Sequence, residues 1–263
     1  MASIATSGTG IWIESGGDSG GKGQTLVLLH GLGANGTVWN ELLPIVRARW
    51  HGRWLNLDLR GHGRSGHAAP YGYAGHAADV AAAIGGQDAP VALIGHSMGG
   101  VVALALASGW FGVRVERVLG FGLKIVWTPD EIAKMKQLGE APMRWFGTRE
   151  EAIDRYLKVS GLIGLVAPDS ERAAVGISEA GGRYRLASDP RINGAVGPQV
   201  EHFYRLASMG PARLRLAAGE RDPMVTKEHM TPMDPHAVVI PGAGHNVHIE
   251  KPDAVWELFE AMA

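Results

Sequence analysis

Unbroken apolar runs alternate with stretches of helical periodicity along the first half of the chain. "TLVLLHG" (25–31) and "VALIGHS" (91–97) are rich in leucine and β-branched residues, the pattern of strands covered on both faces. "IWIE" (11–14), "RWLNLDL" (53–59) and "RVERVLGFG" (114–122) add further strands. Between them one helix capped by Thr37 is expected over 37–49, and an alanine-rich one from Gly75 to Ile84. Strands separated by helices at this spacing imply right-handed crossovers and a doubly wound, mostly parallel sheet. "SGGDSGGKGQ" (15–24) is a flexible turn, too short to separate domains.

From residue 123 to 209 the pattern changes. "PDEIAKMKQLG", "REEAIDRYLKVSGLIG" and "GPQVEHFYRLAS" are amphipathic at helical spacing, with no buried-strand run among them. Strand patterning then returns in "RLRLAAG" and "HAVVIPGAG", and "PDAVWELFEAMA" closes the chain as a helix. The expected organisation is a core of 1–122 and 210–263, interrupted by a helical lid insertion at 123–209, without internal repeats.

Composition narrows the function classes. The chain has 263 residues, 46% of them hydrophobic, enough to bury one main core. Its 25 basic and 26 acidic residues form no like-charge run, so a nucleic-acid partner is not expected. There is no cysteine, which excludes disulfides and thiolate chemistry. The longest apolar stretch (91–107) carries His96 and Ser97 in mid-run, which suits a buried strand and helix better than a membrane span. The N-terminus lacks a basic segment leading into an apolar one, so the default expectation is a cytoplasmic protein. A small-molecule substrate is the expected partner, with no membrane partner, for a monomer or a homodimer formed through an apolar lid.

The chemistry is carried by "GHSMG" (95–99). A serine flanked by glycines, directly after a buried strand and before an alanine-rich helix, meets the context of a nucleophile elbow. The tight turn lifts the serine off the sheet, and the helix N-terminus aims unpaired N–H groups at any anion forming above Ser97. "HGLGAN" after the first buried strand supplies a second loop. Two backbone donors are needed for an oxyanion, and Met98 and Leu32 are the candidates, with His30 a structural residue. Serine also needs a base and the base an orienting acid, expected later in the chain and in the order acid, then histidine. Asp222 in "GERDPMV" and His245 in "PGAGHNVHIE" fit. Glu220 and His248 are rivals, disfavoured because proline follows Asp222 and glycines precede His245.

Taken together, "LLHGLG", "DLRGHGRS", "GHSMGG", "GERDPMV" and "PGAGHNVHIEKPDAV" resemble the α/β-hydrolase fold superfamily, in particular its single-domain bacterial esterase-like members, over nearly the whole chain. The resemblance implies an eight-stranded, mostly parallel sheet with Ser97, Asp222 and His245 as triad and Leu32 and Met98 as oxyanion donors. It also implies that Asp58, Arg60 and His62 belong to a structural loop. A serine rather than an aspartate at the elbow disfavours dehalogenase and epoxide hydrolase chemistry. No acid directly follows "VLGFG", where some relatives place the triad member; Leu123 and Lys124 are there instead.

The expected function is hydrolysis of a small, largely hydrophobic carboxylic ester or lactone through an acyl-enzyme on Ser97, with no cofactor and no metal. The alternatives are a hydrolase of carbon-carbon bonds in diketones and a slow-turnover ligand sensor of the same fold. Trp127, Met135, Met143, Trp145 and Phe146 in the insertion are the candidate substrate-binding residues, while Arg144, Arg149 and Arg155 are expected on solvated faces.

Overall fold

The computed structural model describes residues 3–6, 10–17, 23–86 and 89–263. The centre of the expected flexible turn at 15–24 lies outside the described residues.

The buried runs form one sheet of eight strands. β1 (Ser3–Thr6), β2 (Trp12–Gly16), β3 (Thr25–Leu29), β4 (Arg53–Leu57), β5 (Val91–His96) and β6 (Val115–Phe121) come from the first half of the chain. The second half contributes β9 (Arg213–Gly219) and β10 (Val238–Ile240), and the spatial order is β1-β2-β4-β3-β5-β6-β9-β10. β2 runs antiparallel to both its neighbours, and every other pairing is parallel.

Alternation along the strands divides the interior into two cores. Val27 and Leu29 of β3 pack with Leu93 of β5 against α2 (Tyr73–Ile84) and α3 (Met98–Ala107). Leu26 and Leu28 face the other way, toward α1 (Leu43–Arg49) and the closing helix α10 (Pro252–Glu260). Each such side chain removed from water contributes about 1.5–3 kcal/mol. α3 is buried at every position, which explains why its sequence is apolar all round. Among the described residues no helix is long and apolar enough to cross a membrane.

Two local expectations need correction. Residues 37–49 are not one helix: a 3-10 turn (Gly36–Trp39), capped by the Asn35 side chain on the Thr37 N–H, precedes α1. Pro44, which has no N–H to donate, stands in the first turn of α1, where a helix tolerates it, and so marks a start instead of an interior.

The stretch between β6 and β9 is likewise not purely helical. It contains α4 (Pro129–Glu140), α5 (Arg149–Val159), α6 (Glu171–Val175) and α7 (Val200–Ser208), with a second 3-10 turn at Pro190–Ala195. Between α6 and that turn, β7 (Ile177–Ala180) and β8 (Arg183–Leu186) form an antiparallel hairpin. Its turn is Gly181-Gly182, both at positive φ (58° and 72°), the two-residue connection that matches strand twist. Threonine capping boxes at Thr128 and Thr148 start α4 and α5. Two short helices complete the chain after β9: α8 (Lys227–Met230) and α9 (Val247–Glu250).

Candidate active site

The C-terminal ends of β5, β9 and β10 open on one rim, where ligands bind in sheets of this kind. β5 ends at Ser97, whose φ of 51° and ψ of −118° make it the only non-glycine residue at positive φ among the described residues. Such a conformation costs about 1–3 kcal/mol and persists only where packing enforces it. The enforcement is visible at the flanking glycines. A Cβ on Gly95 would lie 2.5 Å from Gly100 Cα, and one on Gly99 would run into the Leu29 and His30 carbonyl oxygens.

Two strands along the sheet from β5, Asp222 follows β9, and His245 follows the next strand, β10. His245 Nδ1 lies 2.8 Å from Asp222 Oδ2, with the carboxylate wholly buried and the imidazole 17% exposed. The second Asp222 oxygen accepts the Met224 N–H at 2.9 Å, so the acid is fixed before it orients anything. A carboxylate on Nδ1 selects the tautomer in which Nε2 is free to take a proton.

The rivals are placed elsewhere. Glu220 is exposed and accepts the Gly242 N–H. His248 is fully buried in a box of Trp39, His96 and Phe121 at ring distances of 4.6, 4.6 and 5.3 Å, and neither of its ring nitrogens has a partner. Burial drives its pKa well below the ordinary histidine value.

Among the described residues the Ser97 hydroxyl has no hydrogen-bond partner, and the residue is partly exposed. Nucleophile and base contacts in ligand-free sites are commonly loose and tighten with substrate bound. Leu32 lies in the loop after β3, beside Gly31, where a Cβ would stand 3.3 Å from Ser97 Cβ. Met98 opens α3, so its N–H has no intrahelical acceptor.

His30 and Asp58 hold the first of these loops. His30 Nδ1 donates to the Gly31 carbonyl and Nε2 accepts the Leu59 N–H, and burial lowers its pKa. Asp58 accepts from the Gly36 N–H at 2.6 Å and from Arg64, whose guanidinium stacks on Trp12. Arg60 pairs with Asp79, and His62 lies buried beside His30 at 4.9 Å.

The candidate substrate residues of the insertion are dispersed. Trp127 donates its indole N–H to the Lys124 carbonyl just after β6. Met135 belongs to α4, which packs against the 190–195 turn. Met143 lies in the connection after it. Phe146 is buried and pairs its backbone with Tyr184, while Trp145 is flanked by the guanidinium groups of Arg183 and Arg185. Trp145 and Phe146 line a surface cleft of about 440 Å³ with Arg144, Glu151, Asp154, Arg155 and Lys158, and Ser97 is not in its wall.

What the insertion does bring to the rim is the end of α5. Val159 Cγ2 stands 3.8 Å from where a Cβ on Gly33 would be, and Asn246 Nδ2 donates to the Gly161 carbonyl at 2.8 Å. "KVSGLIG" carried no signal for this contact, because only the tertiary fold reveals which loop α5 ends over.

Comparison with known proteins agrees with the architecture. The family model described as "Alpha/beta hydrolase family" matches residues 26–258. The pimeloyl-[acyl-carrier protein] methyl ester esterase of Neisseria meningitidis serogroup B (strain H44/76) is 41% identical over 85 residues, 32% of this chain and 31% of that protein. The match thus spans less than a third of that relative's length. The protein of the same name from Aeromonas hydrophila subsp. hydrophila is 29% identical over 261 residues, 91% of this chain and 95% of its own length. Among solved structures, E-2-(acetamidomethylene)succinate hydrolase superposes with a TM-score of 0.77 at 19% identity, covering 100% of this chain and 99% of that one, a likeness of fold.

Proposed function

The chain belongs to the alpha/beta hydrolase family, and from that membership and the rim geometry we propose that it is a serine hydrolase of small, largely hydrophobic carboxylic esters. The observation that carries the reading is Ser97, held at φ 51° at the end of β5, on the same rim as the 2.8 Å His245–Asp222 pair. A strained serine at a strand-to-helix turn and a buried acid on a histidine, on one rim, support a nucleophile with its base.

In this mechanism Ser97 Oγ attacks the ester carbonyl while His245 Nε2 takes its proton. The N–H groups of Leu32 and Met98 receive the oxyanion, each such donor contributing about 10²–10³ in rate. His245 returns the proton to the leaving alkoxide, and water then hydrolyses the acyl-enzyme by the same route. Asp222 stays ionised and holds the ring. No step calls for a metal or an organic cofactor.

The names of the relatives favour a short alkyl ester, such as a methyl ester, as the substrate. Val159 and Leu32 beside the site give an apolar acyl or alkyl group something to pack against. The test is turnover of methyl and p-nitrophenyl esters of graded acyl length by the wild type and by Ser97→Ala. Hydrolysis lost in the variant is the expected result; turnover preserved in it overturns the reading.

A further inference from the structure

His96, between Gly95 and the nucleophile, is 4% exposed and takes no part in the chemistry above. Its Nε2 lies 3.1 Å from the His245 carbonyl oxygen. A carbonyl can only accept, so Nε2 carries the ring proton and Nδ1 is a bare acceptor. Turning the ring over would put a carbon against that carbonyl and lose the bond.

The ring is walled in on its remaining sides. Nδ1 is buried without a partner and faces Gly31, where a Cβ would stand 2.9 Å away. Cδ2 faces Gly122, which is at φ 67°; a Cβ there would lie 3.3 Å from Cδ2 of His96 and 3.0 Å from Cε1 of His245. Phe121 stacks at 5.3 Å, and the rings of His245 and His248 approach to 4.6 Å each.

We propose that His96 is a positioning residue that ties the backbone of His245 to the nucleophile elbow, fixing the height of the base above Ser97. The proposal rests on the ester hydrolase reading. Asp222 grips the His245 ring at one nitrogen only, and a ring held at one point can rock. The carbonyl bond adds a second fixed point, and it comes from the residue covalently joined to Ser97. Nucleophile and base therefore share one frame.

A histidine suits the task because its side chain is short, has few rotamers and presents one donor. Burial, with His245 and His248 close by, keeps the ring neutral well below the usual range, so the donor persists without a buried charge.

The test compares His96→Phe, a ring with no donor, with His96→Gln, whose amide nitrogen reaches the Nε2 position. Against an ester substrate, His96→Phe is expected to lose about 10- to 100-fold in kcat with KM within about two-fold of wild type. His96→Gln is expected to recover to within about five-fold of wild type. A merely structural ring would lower thermal stability in both variants and leave kcat per folded molecule alone. A folded His96→Phe with kcat within about two-fold of wild type, or a His96→Gln as slow as His96→Phe, overturns the proposal. If the phenylalanine variant does not fold, His96→Asn, whose amide stops short of the carbonyl, replaces it.

A substrate-free arm separates this proposal from the hydrolase reading. The low-field proton shared by His245 and Asp222 and the carbon-bound ring proton shifts of His245 at one fixed pH are followed by NMR. Both should change in His96→Phe and return in His96→Gln; unchanged signals in His96→Phe overturn the positioning role. If the wild type neither hydrolyses esters nor reacts at Ser97 with a fluorophosphonate, the hydrolase reading falls and the NMR arm alone decides His96.

Discussion

His245 Nδ1 and Asp222 Oδ2 stand 2.8 Å apart across the ends of two neighbouring parallel strands, with the acid sealed from solvent and the base open to the rim. Exchanging the carboxylate for an amide keeps the shape but allows the wrong tautomer. Asp222→Asn should therefore fold normally and lose about 10³–10⁴ in kcat. Glu220→Gln should stay within a few-fold of wild type, since Glu220 only accepts the Gly242 N–H at the surface. Steady-state kinetics of both variants on one ester decide the assignment, and the opposite ranking would transfer the role to Glu220.

The elbow glycines make a prediction about stability. Gly99→Ala places a methyl group on the Leu29 and His30 carbonyl oxygens, which are backbone and cannot turn aside. The expected cost is about 2–3 kcal/mol or more, from overpacking against an immovable wall. Gly86→Ala meets nothing within 4 Å and should lie within about 0.5 kcal/mol of wild type. Urea unfolding followed by tryptophan fluorescence measures both.

The central strands were legible because β3 and β5 are buried along their whole length, so that pattern and order sufficed, whereas β1 lies in no apolar run. The placement of Ser97, Asp222 and His245 after strand ends was legible because each follows a recognisable strand with turn residues around it. The 177–186 hairpin escaped because its strands are short and nowhere fully buried, so no apolar run marks them; the Gly181-Gly182 pair was the available signal. Trp145 and Phe146 line a cleft, but residue type alone does not say which one. Type does not say which way a ribbon turns, and here the tryptophan lies between two arginines. His96 stands within the elbow motif, but its partner is a backbone carbonyl 149 positions later, which no spacing rule announces.

Asp58 makes a second stability prediction, coupled to activity. It is wholly buried and accepts hydrogen bonds from the Gly36 N–H and from the Arg64 backbone and guanidinium groups. Removing the carboxylate leaves the buried Gly36 N–H without its acceptor, and Asp58→Ala should cost about 1–3 kcal/mol. Because Gly36 anchors the loop that carries Leu32, the folded variant should also hydrolyse esters more slowly. Denaturation and kcat measured on one preparation test the coupling; a loss of stability with kcat unchanged would remove the loop from the argument.

Acid should destabilise the fold through its buried histidines. His30, His62, His96 and His248 are held below the ordinary histidine pKa, and His76 is lowered to about 4, in each case chiefly by burial. In the unfolded chain these rings take up protons near pH 6.5. Between that pH and the folded-state values the unfolded chain binds more protons, so stability is fully present above about 6.5 and lost as pH falls. Each ring contributes a slope of up to about 1.4 kcal/mol per pH unit in that window. Urea unfolding at pH 7.5, 6 and 5 should show the decline, and His76→Gln should flatten it by about one proton. A stability that does not change from pH 7.5 to 5 would contradict the burial of these groups.

The last prediction concerns substrate choice, where the end of α5 and the Trp145 ribbon offer opposite answers. Val159 stands over Gly33 in the loop that carries Leu32, and the neighbouring Gly161 carbonyl is tied to Asn246, next to His245. On the ester hydrolase reading a larger side chain at 159 intrudes on the space for an acyl or alkyl group, while Trp145 borders a separate cleft. Val159→Trp should shift the preferred acyl length downward and lower kcat/KM for long esters by about ten-fold, the scale set by a few displaced methylenes at about 0.8 kcal/mol each. Trp145→Ala should leave the length profile unchanged. The two variants assayed on one graded ester series discriminate directly: a profile that moves with Trp145 and ignores Val159 would place the acyl pocket under the ribbon and not under α5.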